Sequence, residues 1–215
     1  MLQGLTLQDY RHALVQSAWL QGEGGAPLVL ADERLYLNRL YQAEQLVKQQ
    51  ISQRVDAVLP LAAAIGAQLD GLFPPTSHTE PDWQKLACAM ALQRRFAIIT
   101  GGPGTGKTTT VVKLLVLLQQ GADLNQQREL TIKLAAPTGK AAVRLTESIS
   151  GALAKLSEQL SPELLQRIPT EATTLHRLLG ALPNRRSFKH DSDNPLQLDV
   201  LVVDEASMVD LEMMA

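Results

Sequence analysis

Cysteine is nearly absent: Cys88 is the only one in 215 residues, so no internal disulfide can form and a cysteine-rich zinc site is excluded. A reducing compartment, the cytoplasm, is the expectation. Long apolar runs are missing too. Val111 to Leu118 is the longest, with eight residues broken by Lys113, against the roughly 20 that a membrane-crossing helix needs. No membrane partner is expected. Asp9, Tyr10, Arg11 and His12 stand where a secretion signal would carry its apolar core. Aromatic residues are scarce, and beyond Phe96 only Phe188 remains, so that part of the chain has no set of base-stacking platforms of its own.

What is present describes a folded, soluble-type core. Hydrophobic residues make up 45% and charged residues 20%, inside the globular range and outside that of disorder or fibrous repeats. The net charge of -2 conceals a local imbalance. Residues 128–190 hold ten Lys or Arg against five Asp or Glu, whereas residues 191–215 hold seven acids and no base. A basic segment of this kind can face a polyanion or be a solvated helical face; charge alone does not choose.

The pattern divides the chain in two. Residues 5–20, with Leu7, Tyr10, Leu14 and Ala18 at helical spacing, predict an amphipathic helix. Leu28 and Leu30, then Leu35 and Leu37 beyond Asp32 and Glu33, predict a β-hairpin. Helical spacing returns over Glu44–Ala57 and Pro60–Leu69. The segment GLFPPTSHTEPD, with three prolines, reads as a linker. A boundary is placed near residue 80, giving a partial helical and hairpin domain over 1–79 and a second domain over 80–215. In the second part Trp83–Arg94 predicts a helix, FAIIT a buried strand, Lys107–Leu118 a helix, LTIKLAAP a strand, Gly139–Leu156 a helix and DVLVVDEAS a strand. Val200–Val203, apolar on both faces, suits the centre of a covered parallel sheet. Alternating strands and helices predict an α/β fold with right-handed crossovers.

GGPGTGKT, Gly101 to Thr108, fits the G-x-x-x-x-G-K-[ST] pattern of a phosphate-binding loop, in the strand-to-helix context that the chemistry requires. Glycines at 101, 104 and 106 allow backbone N–H groups to turn toward one anion, and the helix starting at Lys107 adds its positive end. Gly102, Pro103, Thr105 and Thr109 complete or support the loop. Lys107 is expected to reach the β- and γ-phosphates of ATP and Thr108 to ligate Mg²⁺. Asp204, 97 residues beyond Lys107 at the end of LVVD, is the second expected Mg²⁺ carboxylate. Glu205 beside it is placed to act as general base on the attacking water. A turn at a strand's carboxyl end, leading into a helix with Lys140 and Arg144, suits contact with a phosphate backbone.

In order, Gln84, GGPGTGKTTT, LAAPTGKAAVRLTES, TTLHRLLG and VVDEASM resemble the early motifs of superfamily 1 DNA helicases. The wording is most similar to the RecD family, the alpha subunits of exodeoxyribonuclease V in bacterial RecBCD complexes. RLYLNRLYQAE also resembles the end of that family's amino-terminal domain. The resemblance covers nearly the whole chain and implies a RecA-like P-loop NTPase lobe with helices on both faces of a parallel sheet, incomplete here. It implies that Gln84 recognises adenine, and that Pro137, Thr138, Gly139 and Lys140 grip single-stranded DNA. It gives Thr174, His176 and Arg177 a further DNA contact. By the same likeness the whole protein would be a 5′-to-3′ helicase or translocase acting from DNA ends in double-strand break repair and recombination, with RecB and RecC as partners and the nuclease in RecB.

The family's next motif, a Gly-Asp-x-x-Gln run, is absent, and so is the second lobe that supplies a transition-state arginine. The chain therefore reads as a fragment, expected to bind Mg-ATP and to hydrolyse it negligibly. A stand-alone RecD-like helicase and the helicase lobe of a relaxase share the same motifs. A non-hydrolysing ATP-binding assembly module is opposed by the intact Glu205, and a small-molecule kinase by PTGKAA and TTLHRLLG. The cluster Arg185, Arg186, Lys189 and His190 reads as a surface loop.

Overall fold

The structure is a computed structural model that describes residues 6–21, 25–60, 64–74, 81–102, 104–183 and 187–215. It comprises two compact units, residues 1–52 with 210–215, and residues 53–209.

In the first unit, α1 (Leu7–Val15) starts from a reciprocal cap. Thr6 Oγ1 accepts from the Asp9 N–H at 3.2 Å and the Asp9 carboxylate accepts from the Thr6 N–H at 2.9 Å, so two orphan donors are satisfied together. The single helix expected over 5–20 is two: the chain turns at Gln16 and restarts as α2 (Ala18–Gln21). The expected apolar stripe is also not core, since Leu7 is 84% exposed and no α1 residue is buried. The hairpin forms as expected from β1 (Leu28–Ala31) and β2 (Arg34–Leu37), with Leu28 opposite Leu37 and Ala31 opposite Arg34. Asp32 and Glu33 both take positive φ, 47° and 63°, the twist that joins two antiparallel strands through two residues. α3 (Asn38–Val55) follows β2 directly, six residues ahead of its expected start. The unit also holds α10 (Leu211–Met214), where Glu212 accepts from Arg39 at 2.8 Å.

The second unit contains α4 (Ile65–Leu72), α5 (Trp83–Leu92), α6 (Lys107–Leu124), β3 (Ile132–Ala136), α7 (Gly139–Leu156), α8 (Pro162–Gln166), β4 (Ala172–Thr174), α9 (Leu175–Leu179), β5 (Val200–Val203) and a 3₁₀ turn at Ala206–Met208. Its sheet is parallel, in the order β4-β3-β5. Leu115, Val112 and Val116 of α6 and Ile149 and Leu145 of α7 pack with Ile132 and Leu134 of β3 in one core. Ile65, Leu72 and Phe73 belong to that same core. The division between units therefore falls at residues 52 and 53, ahead of the boundary expected near 80. Within the second unit Lys113 ties α6 to the end of α4: its Nζ donates to the Leu72 carbonyl at 2.7 Å and sits 4.0 Å from the centre of the Phe73 ring. Half of the proline-rich linker, 75–80, lies outside the described residues, as do 61–63.

Two strand expectations change. FAIIT is not a strand, because no described segment pairs with it, and Ile98 is 78% exposed. An apolar run reports a wish for burial; a strand also needs a neighbour to take its N–H and C=O groups. The third strand is instead Ala172–Thr174, three residues whose extended form comes from pairing with Leu134–Ala136. Among the described residues β5 pairs on one edge only, and Leu201 is 38% exposed, so the run 200–203 stands at the edge of this sheet rather than at a covered centre. Among the described residues no helix is long and apolar enough to cross a membrane.

Candidate nucleotide site and nucleic-acid interface

The loop before α6 has the backbone that its glycines imply, with one change of reason. Gly104 and Gly106 take φ of 75° and 81°, whereas Gly101 does not have positive φ. At Gly101 the requirement is space: a Cβ there would meet Thr105 Oγ1 at 2.7 Å. Gly106 needs both, since it is left-handed and a Cβ would run into Nε2 of Gln84. The Lys107 ammonium donates to the carbonyls of Gly101 at 2.6 Å and Gly102 at 2.8 Å, and Thr105 Oγ1 donates to Gly102 O at 2.9 Å. The loop thus closes on its own polar groups. Pro103 lies outside the described residues.

Of the three threonines after Lys107, the last ties the helix to the loop. Thr110 is buried and its Oγ1 donates to Gly106 O at 3.0 Å, a role for which the sequence signal was only its i+4 spacing from Gly106. Among the described residues the Thr108 and Thr109 hydroxyls have no side-chain hydrogen bond, which leaves Thr108 a free hard-oxygen donor for a cation.

Gln84 is brought to this loop by α5. Asp82 caps that helix, its Oδ1 accepting from the N–H groups of Gln84 and Lys85 at 3.0 Å each, and the cap fixes the first turn. From there Gln84 Nε2 donates to Thr105 O at 3.1 Å. Cys88, one turn on, donates to Thr110 O at 3.4 Å and joins α5 to α6; burial pushes its thiol up to about 12, so it is not a nucleophile at neutral pH. Between α5 and the loop lies a cavity of about 640 Å³, lined by Trp83, Gln84, Ile99, Gly101, Thr105 and Lys107 among others.

A second set of residues shares one edge of the sheet. In the parallel register Ala136 stands beside Thr174 and Ala135 beside Val203, and the Asp204 N–H donates to Ala135 O at 3.0 Å. Pro137–Lys140, Leu175–Arg177 and Asp204–Glu205 therefore follow the carboxyl ends of three adjacent strands. Two of the expected contact residues are helix caps: Thr138 Oγ1 accepts from Ala141 N–H and Thr174 Oγ1 from Arg177 N–H, both at 3.2 Å. Gly139 opens α7 with open space at its Cβ position. Lys140, Arg144, His176 and Arg177 are exposed. Lys140, Arg144 and Arg177 have no ion-pair partner among the described residues. The His176 ring meets Phe188 edge-on at 6.1 Å. Arg185 and Arg186 lie outside the described residues.

Glu205 occupies a left-handed conformation, φ 51° and ψ 38°, where its carbonyl starts the 3₁₀ turn by accepting from Met208 N–H at 2.9 Å. Non-glycine residues reach this region at a cost and only where the surroundings enforce it. Among the described residues the Asp204 and Glu205 carboxylates have no hydrogen-bond or ion-pair partner, and neither is bonded to the loop at 101–108. No group of three or more His, Cys, Asp or Glu that could hold a metal is found among the described residues.

Residues 84–215 match the family model described as an AAA domain. The chain belongs to this AAA domain family. The AAA domain here is a P-loop NTPase fold, and its boundaries include Gln84, the loop and Asp204–Glu205. The whole chain is similar to the RecBCD enzyme subunit RecD of Haemophilus influenzae, 45% identical over 98% of this chain and 33% of the relative. It is 41% identical to the subunit of the same name in Mycobacterium tuberculosis, over 92% of this chain and 34% of the relative. It is 31% identical to the ATP-dependent RecD2 DNA helicase of Deinococcus radiodurans, over 87% and 23%. The likeness to the RecD family expected from the motifs is thus borne out, and the chain spans about a third of the length of the RecD subunits it matches.

Proposed function

We propose that this chain is the ATP-binding lobe of a RecD-type DNA helicase that couples ATP hydrolysis to movement along single-stranded DNA. The observation that carries the reading is the strand register. It sets the PTGK, TLHR and DE motifs at the ends of neighbouring parallel strands, so a change at the carboxylates has a short rigid route to the exposed cations. Lys107 would exchange its contacts with Gly101 and Gly102 for the β- and γ-phosphates. Gln84 would read adenine. Thr108 and Asp204 would hold Mg²⁺, directly or through water; their free oxygens are the hard donors that this ion prefers, and a site using phosphate oxygens and water needs no three-carboxylate cluster. When bound, the ion neutralises charge developing on the phosphoryl oxygens. Glu205 would take the proton of the attacking water. Lys140, Arg144 and Arg177 would meet DNA phosphates, with Pro137, Thr138, Gly139, Thr174 and His176 shaping that edge.

Likeness to the RecD subunits extends the proposal to RecB and RecC as partners, DNA ends as substrate, double-strand break repair as the setting, 5′-to-3′ polarity and a cytoplasmic location. The test is ATP hydrolysis by the protein at its natural length, with and without single-stranded DNA. Strong stimulation that vanishes in Lys107→Ala is expected, with Glu205→Gln still binding nucleotide but not turning it over. Turnover indifferent to DNA, or retained in Lys107→Ala, overturns the proposal.

A further inference from the structure

We infer that Trp83 is the stacking platform for the nucleobase, and so the residue that separates a nucleotide from a bare polyphosphate in this cavity; this rests on the nucleotide-binding reading above. Tryptophan is among the largest apolar side chains and is usually well covered, yet Trp83 is 68% exposed. Its exposure is not on an arbitrary surface. Trp83 lines the same cavity as Lys107, Gly101 and Thr105, and among the described residues it is the only aromatic one that does so.

The placement is built by the sequence. The Asp82 cap fixes the first turn of α5 through the Gln84 and Lys85 N–H groups, and Trp83 is the first residue of that turn. Ala87, four residues on, also lines the cavity. A helical side chain at that spacing leans back over the turn before it, so an alanine there leaves room beside the indole where a larger residue would fill it. Ile99 and Pro81 add apolar surface to the same cavity. Gln84 follows Trp83 directly, with Nε2 committed to Thr105 O and its carbonyl oxygen Oε1 without a hydrogen-bond partner among the described residues. That leaves an acceptor on the lining of the same cavity for an exocyclic amine, as on adenine. A flat apolar face and one free acceptor lining the same cavity suit a purine base.

Stacking a base on an aromatic side chain is commonly worth enough to change affinity by about tenfold. The experiment compares binding of ADP and of inorganic pyrophosphate, both with Mg²⁺, to the natural-length protein and to Trp83→Ala, Trp83→Phe and Lys107→Ala, by calorimetry. Trp83→Ala is expected to weaken ADP about tenfold and leave pyrophosphate unchanged, with Trp83→Phe restoring most of the loss. Because the indole is exposed, its truncation opens no core cavity, and an unchanged unfolding midpoint checks this. ADP affinity untouched by Trp83→Ala, or ADP and pyrophosphate weakened in parallel, overturns the inference. If the unsubstituted protein binds neither ligand, or if Lys107→Ala binds both normally, the nucleotide site itself is refuted, which is a different result.

Discussion

The phosphate loop and the sheet edge carry charge in opposite ways. Around the loop the side-chain donors of Lys107, Thr105 and Gln84 already have protein partners: Lys107 holds two carbonyls of its own loop, Thr105 holds Gly102, and Gln84 holds Thr105. Along the edge Lys140, Arg144 and Arg177 are exposed and unpaired among the described residues. A ligand at the loop must exchange one set of hydrogen bonds for another, so its net gain depends on geometry held in place beforehand. A ligand at the edge meets charges that only water screens, so its gain is Coulombic and falls with salt. One region is therefore expected to be intolerant of small changes, and the other graded.

The largest break of that contrast comes from Lys107→Ala, which removes the only charged side chain at the loop. Turnover of the natural-length protein should fall by roughly 10²–10³, the usual cost of losing one transition-state donor, as read in steady-state hydrolysis. Loss of similar size on changing Lys140 would show that the edge is as finely positioned as the loop.

Gly106→Ala and Gly104→Ala sharpen the loop side. Both positions have positive φ, but a Cβ at Gly104 meets open space while one at Gly106 meets the Gln84 amide. Gly104→Ala should cost only the conformational strain, on the order of 1–2 kcal/mol of unfolding free energy. Gly106→Ala should cost that and also displace Gln84, so ADP binding should weaken by about tenfold more than in Gly104→Ala. Equal nucleotide affinities in the two variants would mean that the Gln84 contact contributes nothing to the loop.

How far such positions could be read from sequence varies with how local their cause is. Gly139–Leu156 and the hairpin at 28–37 form as their patterns predict, because helical spacing and a two-residue turn are written within one segment. The phosphate loop is legible for the same reason. FAIIT is misread as a strand and Ala172–Thr174 is missed, since a strand exists through a partner from a distant part of the chain and three residues carry no periodicity. Thr138 and Thr174 look like ligand contacts in sequence, and in the structure each hydroxyl starts a helix. Trp83 gives no signal at all until α5 is placed against the loop.

On the edge, Lys140→Ala and Arg177→Ala should each weaken single-stranded DNA binding several-fold at low salt. Each should also lower the slope of log affinity against log salt by about 0.7, the value for one phosphate contact on a single strand. Titrations at a series of salt concentrations measure this. A loss of affinity with an unchanged slope would point to shape rather than charge at that residue.

The smallest effect concerns the opposite end of the same sheet, where charge is paired. Arg128 donates twice to the Asp199 carboxylate, at 2.8 Å each, and the Thr131 N–H donates to it at 2.8 Å. These contacts, the guanidinium first and then the backbone donor, hold the Asp199 carboxyl below its ordinary range. A group with a depressed folded value favours the folded state when ionised. Its contribution is therefore fully present above the ordinary aspartate range near pH 4 and is lost as pH falls through the lower, folded value. Arg128 is largely exposed, so screening keeps the effect small. Asp199→Asn should lower unfolding stability slightly at pH 7 and converge with the unsubstituted protein in strong acid, by denaturant titration at both pH values. A difference that persists unchanged in acid would mean that the side chain joins Thr131 to the start of β5 by hydrogen bonding alone, with charge playing no part at this end of the sheet.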